Sequence, residues 1–383
     1  MNIKPFKIAI PQKELKALQK RIGSTRWPDE IPGEGWKRGM PLEYTKKLAD
    51  YWRTKYDWRE QEAALNKFPQ FLTEIDDQTI HFLHVRSSEP NAIPLLICHG
   101  YPSSFAEFLY MIDPLVNPAG PGKEAKQAFH VVIPSLPGFG FSTPYSGNGW
   151  EISRMAKAFI QIMSELGYDR YGVSGGDIGA GICGQLCIQG GEHIIGSLIN
   201  TDPGAIATDF APPSDHLNDE EKNRHQQMKA ARREDFGYIQ IQSTRPQTIA
   251  YSLNDSPVGQ MAWIVEKFKE WTDPSKELPE DAVDIDQLLT NVCVYWFGQG
   301  GAGAAQFMYE TAHAVPSWGQ THNTPQGFVS FGNEPLVRRL LDPEQKLAYW
   351  NEHDRGGHFP AMEAPEQLVS DIRTFFQELN SKA

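Results

Sequence analysis

The chain of 383 residues lacks a long apolar run. No window reaches the roughly 18 apolar residues that a bilayer-crossing helix needs. The opening MNIKPFKIAI lacks the apolar core of a secretion signal, which predicts a soluble, cytoplasmic protein without a membrane anchor. Cysteine is scarce: Cys98, Cys183, Cys187 and Cys293 are too few for a disulfide framework. Cys183 and Cys187 lie four apart on an expected helix, but no His or acid cluster accompanies them, so they read as small core hydrophobes and not as metal ligands. Positive charge is also short: 36 Lys and Arg against 48 Asp and Glu give a net charge of −12, which argues against nucleic acid or an anionic membrane as partner. The one basic run, Lys222 to Arg233, is broken by Glu234 and Asp235 and reads as a solvated helix face. Internal repeats and low-complexity segments are missing as well. What the chain does have is 40% hydrophobic and 11% aromatic residues, enough for a large core.

Residues 1–70 carry apolar side chains at three-four spacing and read as helical and rich in Trp. FLTEIDDQTIHFLHV (71–85) alternates about a DDQ turn and reads as a β-hairpin. Beyond it the rhythm is strand-helix. The short apolar runs IPLLICHG, FHVVIPS, RYGVSGG and HIIGSLIN alternate with helical segments such as 152–167, which predicts an α/β fold with a mostly parallel sheet covered on both faces. Chemistry in such sheets sits beyond the strand C-termini. Residues 206–322 break the rhythm with helices rich in Tyr and Trp, and strands resume at TPQGFVSFGNEP and KLAYWNEHD before a final amphipathic helix. The implied organisation is an N-terminal extension (1–75), a core in two parts (76–205 and 323–383) and a helical cap between them (206–322).

RYGVSGGDIGAG (170–181) holds two candidate nucleophiles in one small-x-nucleophile-x-small frame. Ser174 fits G-x-S-x-G, and Asp177 fits the same frame three residues later. A nucleophile elbow needs a strand running directly into a helix. With Ser174 at the tip the helix would begin GGDIGAG, a poor helix former; with Asp177 it begins IGAGICGQL. Asp177 is the better candidate, against the plain alternative that it only caps a helix.

Further candidate loops follow expected strands. CHGYPSS (98–104) holds His99, Gly100, Tyr101 and Pro102, and DRGGHFP sets His358 on a glycine-flexed loop before the last helix, with His353 the lesser candidate base. A base needs an acid to orient it. Glu334 in VSFGNEPL is the choice and Asp202 in LINTDPGA the runner-up. In the cap, Tyr238 and Tyr309 would each alone read as half-buried core. GQGGAG (298–303) matches the dinucleotide fingerprint letter for letter, but it opens no βαβ unit and has Asn323, not an acid, about twenty residues on, so it is set aside as a helix break or loosened cap segment.

With these residues in hand, the sequence resembles the microsomal-type epoxide hydrolases, a group of α/β-hydrolase fold that includes insect juvenile hormone enzymes and bacterial relatives. TRWPDE, DYWRTKYDWR and LNKFPQF match that family's own N-terminal domain, and SLNDSPVG, LLTNVCVYW and GGHF extend the match over nearly the whole chain. The resemblance implies Asp177 as nucleophile, Glu334 as acid, His358 as base and Tyr238 and Tyr309 as ring-opening donors. It also implies an oxyanion hole from the N–H groups of Tyr101 and Ile178, a loop from His99 to Pro102 with a cis Tyr101–Pro102 bond, and a Leu-Gly pair ten residues before the nucleophile, which Gly167 satisfies. The implied partners are a small apolar epoxide and water, with no metal or cofactor, and a homodimer is compatible with the family. Ile178 departs from the pattern, standing where most relatives have Trp. Dehalogenases of this fold hold halide with that Trp, so the departure disfavours dehalogenation, and a Ser174 esterase is the other alternative.

Overall fold

A computed structural model describes residues 2–118, 127–208, 211–316 and 320–382. Nine strands form one sheet: β1 (Lys4–Phe6), β2 (Gln70–Ile75), β3 (Gln78–Val85), β4 (Ile93–Cys98), β5 (Phe129–Pro134), β6 (Tyr171–Gly175), β7 (Ile194–Thr201), β8 (Gln326–Phe331) and β9 (Tyr349–His353). Their order is β1-β2-β3-β5-β4-β6-β7-β8-β9. From β5 to β9 every pairing is parallel, and β1, β2 and β3 extend one edge antiparallel.

Local chemistry explains the elements. β4, β5 and β6 are almost wholly buried because their runs IPLLIC, FHVVIP and YGVSG meet helices on both faces. The β2–β3 hairpin turns through Asp76 and Asp77, both left-handed (φ 49 and 62), the two-residue geometry that matches strand twist and that a short polar side chain tolerates. The helix Ile152–Glu165 begins at Glu151, whose carboxylate accepts from the Ser153 and Arg154 N–H groups. Its apolar face includes Met155, Phe159 and Ile162, all buried.

One feature differs from the sequence reading. Residues 1–70 are not purely helical: Lys4–Phe6 pairs with β2, so the N-terminal segment is woven into the main sheet. A strand of three residues is too short to announce itself by alternation. Its helices then reach the segment between β7 and β8. Tyr44 donates to Glu280 at 2.5 Å, Tyr51 to Asp286 at 3.0 Å and the Trp52 indole to Cys293 at 3.2 Å.

Between β7 and β8 lie the helices Asp219–Arg232, Gly237–Thr244, Pro246–Asp255, Pro257–Trp271, Ile285–Gly298 and Gly300–His313. Residues 209–210 and 317–319 of the expected cap lie outside the described residues. GQGGAG joins the last two helices through left-handed Gln299. A Cβ on Gly298 or Gly303 would run into the carbonyl oxygens of Gly140 and Gly138, so these glycines let the helices lie against the 134–144 loop. Among the described residues no helix is long and apolar enough to cross a membrane.

Candidate active site

The chemistry collects at the C-terminal ends of the parallel strands. β6 ends at Gly175, and Asp177 follows at φ 52, ψ −128, immediately before the helix Ile178–Gly190. That backbone state costs a non-glycine residue about 1–3 kcal/mol and has to be held by its surroundings. The surroundings are close. A Cβ on Gly100 would come within 2.5 Å of the Asp177 Cβ, and one on Gly179 would strike the Cys98 carbonyl. The Asp177 side chain makes no capping hydrogen bond to the helix, so a capping role does not account for it. Ser174 lies inside β6, paired with Ile97 and Leu198, away from the tip.

β4 runs into the loop His99 to Pro102, where the Tyr101–Pro102 peptide is cis. The Tyr101 N–H donates to Asp177 Oδ1 at 2.8 Å. Ile178 is the first residue of its helix, where an N–H has no intrahelical acceptor. His99 is fully buried, and burial lowers its pKa to about 4, so it is neutral. Its Nδ1 bonds the Gly100 carbonyl at 2.9 Å and its Nε2 accepts from the Leu136 N–H at 3.1 Å, which ties this loop to the 134–144 loop. From the far side the helix Ile285–Gly298 grips the same segment. Asn291 donates to the Pro102 carbonyl at 2.8 Å and Tyr295 to that of Ser103 at 2.9 Å.

His358 sits past β9 with Nε2 3.5 Å from Asp177 Oδ2. Its Nδ1 bonds Asp202 Oδ2 at 2.8 Å. The carboxylate that bonds the imidazole here is Asp202, at the end of β7, the runner-up of the sequence reading, whereas the preferred Glu334 makes no bond to His358 among the described residues. Glu334 turns to Arg224 of the helix Asp219–Arg232, which donates to it at 2.7 Å. The reason is local: Asp202 opens the turn Pro203–Ala207 and its Oδ1 accepts the Gly204 N–H at 2.6 Å, leaving Oδ2 aimed at the imidazole. Burial opposes charge on Asp202, but the His358 bond and Arg232, 3.8 Å away, outweigh it and hold its pKa below the usual range. Burial likewise opposes charge on His358, yet the hydrogen bonds and charges of Asp177 and Asp202 raise its pKa to about 10. The resting base carries a proton. His353 is engaged elsewhere, 2.6 Å from Asp371.

Tyr238 is buried near enough to Asp177 for that charge to act on its phenol. Its ring stacks on Tyr101 (centroids 5.3 Å apart, 12° between planes) and meets Trp271 at 5.6 Å. Burial, and then the charge of Asp177, push its pKa well above 10. Tyr309 is half-buried on the helix Gly300–His313, its ring stacked on His313 at 4.1 Å. Among the described residues no hydrogen bond or ring contact joins it to Asp177, His358 or Tyr238.

Sequence reasoning missed several residues here. Behind Asp177 and His358 lies a cavity of about 10 Å³ lined also by Glu107, Ser103, Asn200 and His99. Trp271 covers His358, its ring 5.0 Å away and its carbonyl accepting the His358 backbone N–H at 2.8 Å. The one available signal was Glu107 itself, a lone acid among apolar residues in SSFAEFLY. Among the described residues no group of three or more His, Cys, Asp or Glu could hold a metal.

Asp177, His358 and Asp202 thus form one hydrogen-bonding line at the strand ends. Comparisons with known proteins give the family. Residues 3–108 match the family described as epoxide hydrolase N terminus, and residues 93–354 match the alpha/beta hydrolase fold. The chain belongs to the epoxide hydrolase family. It is 32% identical over 407 residues to epoxide hydrolase 1 of Sus scrofa, covering 98% of this chain and 88% of that protein. A Stigmatella aurantiaca protein, named only as a candidate epoxide hydrolase, is 43% identical over 100% of this chain and 86% of its own length. The juvenile hormone epoxide hydrolase of Bombyx mori superposes with a TM-score of 0.82 at 28% identity, covering 99% of this chain and 94% of that one.

Proposed function

We propose that this epoxide hydrolase converts a small apolar epoxide to a vicinal diol through a covalent ester on Asp177. The observation that carries the reading is the strained tip: a carboxylate stands there, not a hydroxyl, with one oxygen on the Tyr101 N–H and the other facing His358. An epoxide offers a saturated carbon. A serine would trap it as an ether, whereas a carboxylate gives an ester that water can cleave.

In the first step Asp177 Oδ2 bonds to a ring carbon, the carbon–oxygen bond opens, and the alkoxide takes a proton from a phenol, Tyr238 with Tyr309 as second donor. Forming the ester removes the Asp177 charge. That charge had been raising the pKa of both Tyr238 and His358, so the phenol becomes a better acid and His358 gives up its resting proton, by way of solvent, to the tyrosinate, which leaves the neutral imidazole that the second step needs. In the second step His358, oriented by Asp202, takes a proton from water. The hydroxide bonds to Cγ, the N–H groups of Tyr101 and Ile178 hold the oxyanion, and the diol leaves with the original Oδ2. Aromatic side chains beside the nucleophile (Tyr101, Tyr238, Trp271) favour an apolar substrate, with residues 206–322 as its cap. Ile178 offers no side-chain N–H for a halide, which weighs against dehalogenation.

One turnover in heavy-oxygen water tests this. The label should enter the Asp177 carboxylate and be absent from the first diol; label in the first diol would refute the ester route.

A further inference from the structure

A buried acid beside the nucleophile has no part in the scheme above. Glu107 lies on the turn Phe105–Phe108, directly after the oxyanion loop, and is only 7% exposed. Burying a carboxyl without a task is expensive. The backbone that carries it is held firmly: Ser104 caps the turn, and Gln287 of the helix Ile285–Gly298 donates to the main-chain carbonyls of Ala106 and Glu107 at 3.3 and 3.4 Å. Glu107 faces the cavity behind Asp177 together with Ser103, Asn200 and His358. At about 10 Å³ that cavity is of the size one water occupies, and its walls offer the several polar partners a bound water needs. Burial raises the Glu107 pKa to about 7, with the Asp177 charge adding to it and Ser103 and His358 opposing. The other buried acid near the base, Glu363, differs, since its two oxygens already accept the N–H groups of Phe359 (3.0 Å) and Asp273 (2.7 Å).

We propose that Glu107 positions the hydrolytic water, which enters this chamber and attacks the Asp177 ester from within it. The inference rests on the ester mechanism above. Water there has two O–H bonds. One proton passes to His358 Nε2 as the oxygen bonds to Cγ; the other stays on the oxygen and is held by the Glu107 carboxylate. The adduct then breaks its Cγ–Oδ2 bond, the proton on His358 goes to the departing diol oxygen, and Asp177, left as the acid, passes its proton to His358, which restores the resting pair. Glu107 undergoes no net change. It should matter for breakdown of the ester and not for its formation.

Rapid mixing of the whole enzyme with a small aryl epoxide, quenching, and intact-protein mass spectrometry resolve the two steps. In Glu107→Gln, ester formation should stay within threefold of wild type while its decay slows at least tenfold, so that alkylated protein accumulates. Glu107→Asp, which withdraws the carboxylate by one methylene, should change the rates in the same direction and serves if the glutamine variant folds poorly. Unchanged decay in a folded variant overturns the proposal, and so does equal slowing of both steps, which marks a structural role. Wild-type enzyme that turns over epoxide with no ester on Asp177 overturns the underlying mechanism instead.

Discussion

Replacing Asp202 by Asn keeps the shape of the orienting group and the acceptor for the Gly204 N–H but removes the charge beside His358. The structure sets the size of the effect. Net of burial, Asp177 and Asp202 together raise the His358 pKa from 6.5 to about 10. At ~1.4 kcal/mol per pH unit this is roughly 5 kcal/mol in favour of the imidazolium. When the ester forms, the Asp177 share disappears. Asp202 is then the carboxylate left at the imidazole, and taking about 2–3 kcal/mol from a base that must accept a proton slows ester hydrolysis about a hundredfold. Glu334→Gln is the control. Its partner Arg224 is 60% exposed, and such a pair contributes about 0–1 kcal/mol, so hydrolysis should change by less than about fivefold. Ester lifetimes from quenched mixing of both variants with one epoxide decide the matter. If Glu334→Gln prolongs the ester as much as Asp202→Asn does, or if Asp202→Asn decays at the wild-type rate, the assignment of the acid is wrong.

The raised pKa of His358 also bears on stability. Because its folded pKa, about 10, lies above the unfolded 6.5, its contribution is full below about pH 6.5 and fades as pH climbs toward 10; the melting-temperature gap between wild type and His358→Gln should narrow over that window. A gap that widens would contradict the ion-pair geometry. Gly303→Val should cost about 1–3 kcal/mol and lower the melting temperature by about 2 °C or more, because the added side chain meets the Gly138 carbonyl. Melting like wild type would show that the helix is not held against that loop.

Much of the site was readable because it is local. The elbow is one strand, one tight turn and one helix, so the helix-forming quality of residues 178–190 against 175–181 was enough to prefer Asp177 over Ser174. His358 and the 98–104 loop likewise follow strands whose apolar runs are plain. The carboxylate that bonds His358 was not legible in that way. Asp202 and Glu334 each follow a parallel strand, β7 and β8, that lie side by side, and the choice depends on which side chain is claimed by something else. Arg224 makes that claim on Glu334 from 110 residues away. Glu107 was missed for a related reason: its meaning comes from Asn200 and His358, neither near it in sequence. The family resemblance pairs the two cap tyrosines, yet the structure sets only Tyr238 against Tyr101 of the 98–104 loop.

The N-terminal helices carry a cost in time during synthesis. Tyr44, Tyr51, Trp52 and Tyr56 find their hydrogen-bond partners 234 to 241 residues downstream, on Glu280, Asp286, Cys293 and Thr290. A nascent chain therefore presents these aromatic side chains unpaired until more than two thirds of it has left the ribosome. The helix that receives Tyr51, Trp52 and Tyr56 is the one whose Gln287, Asn291 and Tyr295 hold the 102–107 segment, so some of the first residues made brace the candidate site last.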